Sequence, residues 1–176
     1  SKEGGSIYAK LDDRSCNSLI IRNCYFNDNG NNQQGVSLYF ELKNEITLNV
    51  IDCTFVYKGS TGHCIYSHRA ISTFSNNIFI TETNSVKAIS ILTSKQITIF
   101  NCTFTKNPSQ PTASSLLEND DLSFTGLNPD GTSVVLIQPE GESTEPVAIT
   151  DCVFDNCVID NIACFNISLR TSSSVK

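Results

Sequence analysis

Surface chemistry needs nucleophiles, paired carboxylates or metal ligands at usable spacings, and this chain offers few. Its eight cysteines are the most regular set. Cys24, Cys53, Cys102 and Cys152 each follow Asn or Asp and precede a pair ending in Phe, in "NCYF", "DCTF", "NCTF" and "DCVF". Asn77, in "NNIF", takes the equivalent place between Cys53 and Cys102. No Cys-x-x-Cys occurs, and the wider spacing from Cys152 to Cys157 carries little zinc signal, so no metal site is expected. His63 and His68 also lack a metal-like set of partners. The adjacent carboxylates Asp12–Asp13 and Asp120–Asp121 lie in turn-rich sequence, where such pairs are ordinarily solvated. Asn101-Cys102-Thr103 and Asn166-Ile167-Ser168 are N-glycosylation sequons, with Asn101 and Asn166 as the acceptors.

The elements that position these residues repeat. Phe26, Phe55, Phe79, Phe104 and Phe154 close equivalent units at intervals of 29, 24, 25 and 50 residues. The last interval is twice the one before it, and a period of this size is the signature of a solenoid. A second unit falls between the first ones: "GGSIYAKL" at 4–11, "GVSLYFEL" at 35–42, "GHCIYSHR" at 62–69, "VKAISILT" at 86–93, "TSVVLIQP" at 132–139 and "IACFNISL" at 162–169. Alternation there puts Leu38, Ile65, Ile89, Val135 and Phe165 in one inward row. In the first unit the parity breaks. Ile97 and Ile99 alternate inward, but the next core-like residues are Cys102 and Phe104. A bend at Asn101 resolves the break, because Asn and Asp tolerate the left-handed backbone of a tight corner. Asn23, Asp52, Asn76, Asn101 and Asp151 all occupy this corner. The unit therefore reads as strand, corner, strand. Three strands in each ~25-residue turn predict an all-β parallel β-helix of about five coils, with coils ~4.8 Å apart.

Composition bounds the function. Residues 1–176 read as a single domain, 39% hydrophobic, rich in Ile, Val and Phe, with a net charge of −6 and scattered basic residues. Nucleic acid is not an expected partner, no apolar run is long enough for a transmembrane segment, and no cofactor is implied. With no Met and no signal peptide, the chain is expected to be a piece of a longer protein. The stretch 106–131, rich in Pro, Ser, Asn and Asp, is an inserted loop between coils, serving either contact with a neighbour or no purpose beyond being tolerated. The number of cysteines is high for an intracellular solenoid and points to an extracellular or cell-surface location. In-register cysteines lie within disulfide range, but parallel Cβ directions make the torsion awkward. Free, buried thiols acting as small core residues are the plainer reading.

The two units resemble the paired repeats of the chlamydial polymorphic outer membrane proteins, which carry GGA[I/L/V] and FxxN tetrapeptides. Gly4-Gly5-Ser6-Ile7 is close to the first, and Phe26-Asn27-Asp28-Asn29 and Phe104-Thr105-Lys106-Asn107 fit the second. Other coils depart from it, as in "FVYK" at 55–58 and "FITE" at 79–82. Similar repeat proteins occur on the surfaces of protists. The resemblance implies a right-handed parallel β-helix, surface display and adhesion. The competing reading is a carbohydrate-binding or carbohydrate-active β-helix similar to pectate lyases, whose cleft lies over the outward face of the first strands. That chemistry needs carboxylates converging on Ca²⁺ with a base, or two facing one glycosidic bond. Here the outward positions of the six first strands contain one carboxylate, Glu41. A non-catalytic surface glycoprotein is therefore expected, an adhesin-like ectodomain or a structural stalk. Its partner is a protein or glycan, or a neighbouring coil or subunit at an open end. Tyr8, Tyr39 and Tyr66 fall in one outward column and predict an exposed aromatic ladder, serving either sheet stability or partner contact.

Overall fold

The computed structural model describes residues 5–11, 16–28, 37–57, 63–81, 88–92, 96–106, 133–138, 147–155 and 163–167. Apart from Lys106, the 106–131 insertion lies outside the described residues. All regular structure among them is strand, as the density of Ile, Val, Phe and Thr favours. The first repeat contributes β1 (Ile7–Leu11), β2 (Ser18–Arg22) and β3 (Tyr25–Asp28). The second contributes β4 (Leu38–Ile51) and β5 (Thr54–Tyr57), and the third β6 (Ile65–Ser75) and β7 (Ile78–Thr81). The fourth has β8 (Ile89–Leu92), β9 (Ile97–Phe100) and β10 (Thr103–Lys106). The fifth has β11 (Ser133–Gln138), β12 (Val147–Thr150) and β13 (Val153–Asp155), followed by β14 (Ala163–Ile167).

Every pairing among these strands is parallel. They form one nine-stranded and one five-stranded sheet. The larger sheet contains two ladders. One runs β1-β4-β6-β8-β11-β14; the other joins β2, β9 and β12 through the C-terminal halves of β4 and β6. The third ladder, β3-β5-β7-β10-β13, is the smaller sheet. Each repeat thus gives one segment to each ladder, in sequence order.

The expected rows form. Leu38, Ile65, Ile89 and Val135 are successive Cα partners and are fully buried, and Phe165 pairs with Val135 in backbone register. Phe26, Phe55, Phe79, Phe104 and Phe154 are also successive partners, their ring centroids 4.6–5.0 Å apart. In-register pairing brings identical side chains to the sheet repeat, and parallel offset rings fill that spacing without voids.

The corner between the second and third ladders is constant. Asn23, Asp52, Asn76, Asn101 and Asp151 all have positive φ, between 48° and 53° except for 55° at Asn76. One residue in the left-handed region turns the chain, and short polar side chains tolerate it at least cost. Their amides then link the repeats: Asn101 Nδ2 donates to Asn76 Oδ1 and Asn76 Nδ2 to Asp52 Oδ1, each at 3.0 Å.

The corner between the first two ladders varies. β4 and β6 run through it as single strands, and their register shifts between Glu41 and Ile46. In β6 one residue, Arg69, makes the corner with φ 62°. β4 has residues 42–45 where β6 has Arg69 alone. Ser67 and Ser72 stand where β4 has Phe40 and Leu48, buried and with their hydroxyls 3.4 Å apart. No helix among the described residues is long and apolar enough to cross a membrane.

Candidate functional site

The cysteine column sits directly after the constant corner. Each thiol donates to the carbonyl two residues earlier: Cys24 to Arg22 at 3.2 Å, Cys53 to Ile51 at 3.2 Å, Cys102 to Phe100 at 3.4 Å and Cys152 to Thr150 at 3.3 Å. Three of them also face the carbonyl of the preceding repeat, at Ile21, Phe74 and Ile99. Asn77 takes over the bond to the preceding repeat and adds one that a thiol does not make here. Its Nδ2 donates to Val50 O at 2.8 Å, and its Oδ1 accepts from Cys53 N at 2.9 Å. The column is therefore a run of small donors that satisfy carbonyls inside the bend, buried at Cys53, Asn77 and Cys102. The sequence repeat puts Asn77 in this column, and a polar amide among thiols is its only signal there.

Cys24, Cys53, Cys102 and Cys152 are all free thiols, with Cys53 and Cys102 buried and the outer two half-buried. Burial raises the Cys53 thiol. A hydrogen bond to Cys152, with burial second, pushes Cys102 well above the ordinary thiol range, and the same bond draws Cys152 down to about 7.

The tyrosine column forms, but it is not the exposed ladder that alternation predicts. Tyr8, Tyr39 and Tyr66 are in register and their rings stack at 5.0 and 4.8 Å. Tyr8 is 49% exposed, whereas Tyr39 and Tyr66 are 4% and 6% exposed. Both buried rings lie outside the central cluster of core side chains. Their outward neighbours Ser37 and Ser90 are buried too, so this face is covered in the second to fourth repeats. Period two assigns a face; it does not say whether the face meets water.

Beside the tyrosines runs Lys10–Glu41–His68–Leu92. Lys10 Nζ lies 3.0 Å from both Glu41 carboxylate oxygens, so the one outward carboxylate of this ladder is engaged by a cation. His63, expected at an inward or edge position, is buried, and His68 is half-buried. Among the described residues no three His, Cys, Asp or Glu side chains gather as a metal site. The pairs Asp12–Asp13 and Asp120–Asp121 lie outside the described residues. Asn101 is exposed at its corner, and the amide nitrogen a glycan would modify already donates to Asn76. Asn166 lies in β14, with its side chain outside the described residues.

The third ladder presents an open face, as the second does at Ile20 and Phe100. One outward column reads Tyr25–Thr54–Ile78–Thr103–Val153, and the next reads Asn27–Val56–Ile80–Thr105–Asp155. Tyr25, Ile78 and Val153 are 65%, 42% and 53% exposed. Asp155 is the single charge among these ten side chains. No family model, curated protein or solved structure matches the chain.

Proposed function

We propose that the chain is a segment of a right-handed parallel β-helix that serves as a non-catalytic extracellular or cell-surface ectodomain, a rigid adhesive or stalk-like element. The observation that carries this reading is the open face of the third ladder. An in-register array mainly of Thr, Val and Ile, with Tyr25, Asn27 and one charge, suits contact with another protein surface, because it can be desolvated without stranding ions. The regular succession of three ladders supports the solenoid, and a right-handed crossover is the ordinary hand for parallel strands. The resemblance to polymorphic outer membrane protein repeats points the same way. A glycan platform would use an exposed aromatic ladder, and the tyrosine stack is buried at Tyr39 and Tyr66.

The test is binding of the purified chain to a panel of immobilised extracellular-matrix proteins, beside incubation with polygalacturonate with and without Ca²⁺. Binding to a matrix protein that is lost in Ile78→Lys, with cooperative unfolding retained, supports the reading. Release of unsaturated or reducing-end products from polygalacturonate, abolished by Glu41→Gln, overturns it in favour of a carbohydrate-active β-helix.

A further inference from the structure

We propose that Cys102 and Cys152 are a redox-active pair, closed to a disulfide by a two-electron oxidant such as hydrogen peroxide, and that Cys24 and Cys53 form a second pair of the same geometry. The first argument is register. Thr103 and Val153 are Cα partners, and Cys102 and Cys152 directly precede them. Val153 N donates to Cys102 O at 2.9 Å, which fixes the two residues one above the other. Neighbouring parallel strands lie ~4.8 Å apart, inside the Cα range of disulfides, although the Cβ atoms must draw closer to about 3.8 Å. The Phe104–Phe154 rings, two residues along, stack at 4.6 Å and the Phe26–Phe55 rings beside the second pair at 4.9 Å, so both pairs sit where neighbouring repeats are closely stacked.

The second argument is direction and access. Both sulfurs turn to the same side, each donating to the carbonyl two residues behind it. Cys102 is fully buried and Cys152 half-buried, so an oxidant meets Cys152 first. Cys53 and Cys24 repeat this asymmetry. Asn77 stands between Cys53 and Cys102, tied to Cys53 N and Val50 O, and confines each buried thiol to one thiol neighbour.

The chemistry balances in two steps. The Cys152 thiolate attacks one peroxide oxygen; the S–O bond forms, the O–O bond breaks, and the departing hydroxide takes a proton to become water. Cys102 sulfur then attacks the Cys152 sulfenic sulfur. The S–S bond forms, the S–O bond breaks, and hydroxide leaves as water with the Cys102 proton. Two thiols are oxidised and one peroxide is reduced to two waters. The link would tie β10 to β13 across the longest interval between neighbouring repeats, the one that contains the 106–131 insertion.

Peroxide treatment of the folded chain, alkylation of the remaining thiols, digestion without reductant and peptide mass mapping test this. The expected products are Cys102–Cys152 and Cys24–Cys53 crosslinks, each two hydrogens lighter than its thiol pair, without Cys53–Cys102. Oxidation should also raise the denaturant midpoint of the native chain, and Cys152→Ser and Cys152→Ala should each remove the Cys102–Cys152 contribution to that shift. Over-oxidation of Cys152 without a link to Cys102, or the same crosslink pattern from chain oxidised in denaturant, would overturn the proposal.

Discussion

Two aromatic stacks run through this molecule at nearly the same pitch, and they sit in different surroundings. Phe26, Phe55, Phe79, Phe104 and Phe154 stack on the inward side of the third ladder, with ring centroids 4.6–5.0 Å apart. Tyr8, Tyr39 and Tyr66 stack outside the central core at 4.8–5.0 Å. Register sets the spacing of both. Burial follows something else: the inner stack is buried from Phe26 to Phe104 within the core cluster, while the outer one is covered at Tyr39 and Tyr66 and open at Tyr8. A stack of rings is thus a statement about pairing, and its value to stability or binding is decided by what lies over it.

The largest expected effect breaks the inner stack. Phe79→Ala removes the middle ring and leaves a cavity between Phe55 and Phe104, and should lower stability by about 3–5 kcal/mol in denaturant titration. Tyr39→Ser should cost about 1.5–3 kcal/mol, because a nearly fully buried aromatic body is lost. A neutral Tyr39→Ser would show that the outer face is open and would restore the tyrosines as a contact surface. At the corner that separates the ladders, Asn76→Ala should cost about 1–2 kcal/mol through its positive φ, and Asn76→Gly less, since glycine keeps the backbone and loses only the amide ladder. Tyr8→Ser, at the half-exposed end of the outer stack, should cost about 0.2–1 kcal/mol. The Lys10–Glu41 pair beside it, with side chains 45% and 31% exposed, should show a coupling of about 0.2–1 kcal/mol in a double-mutant cycle, reduced by salt.

Much of this arrangement was legible in the sequence, for a physical reason. A parallel in-register stack repeats its own environment every turn, so the same residue types recur, and the Phe spacing alone places Phe79 over Phe55 and under Phe104. The corner residues were legible because few side chains tolerate positive φ. What escaped was set by neighbours rather than by period. The Ser67–Ser72 pair meets across the corner that Arg69 makes alone, and nothing in "SHRAIS" marks a one-residue corner. The burial of Tyr39 and Tyr66 depends on a covering that alternation cannot report. The third-ladder face is built mainly of Thr, Val and Ile, side chains that carry no chemical signal in a sequence. Asn77 was placed correctly, but its two backbone bonds arise only when the preceding repeat brings Val50 O and Cys53 N to it.

The in-register stacking of successive repeats is tested most directly by nuclear Overhauser contacts among phenylalanine rings in the folded chain, with only Phe protonated. The expected pattern is sequential: Phe26 to Phe55, Phe55 to Phe79, Phe79 to Phe104 and Phe104 to Phe154, with no contact skipping a repeat. A missing Phe79–Phe104 contact, with either ring instead meeting a Phe outside this series, would contradict the stacked ladders.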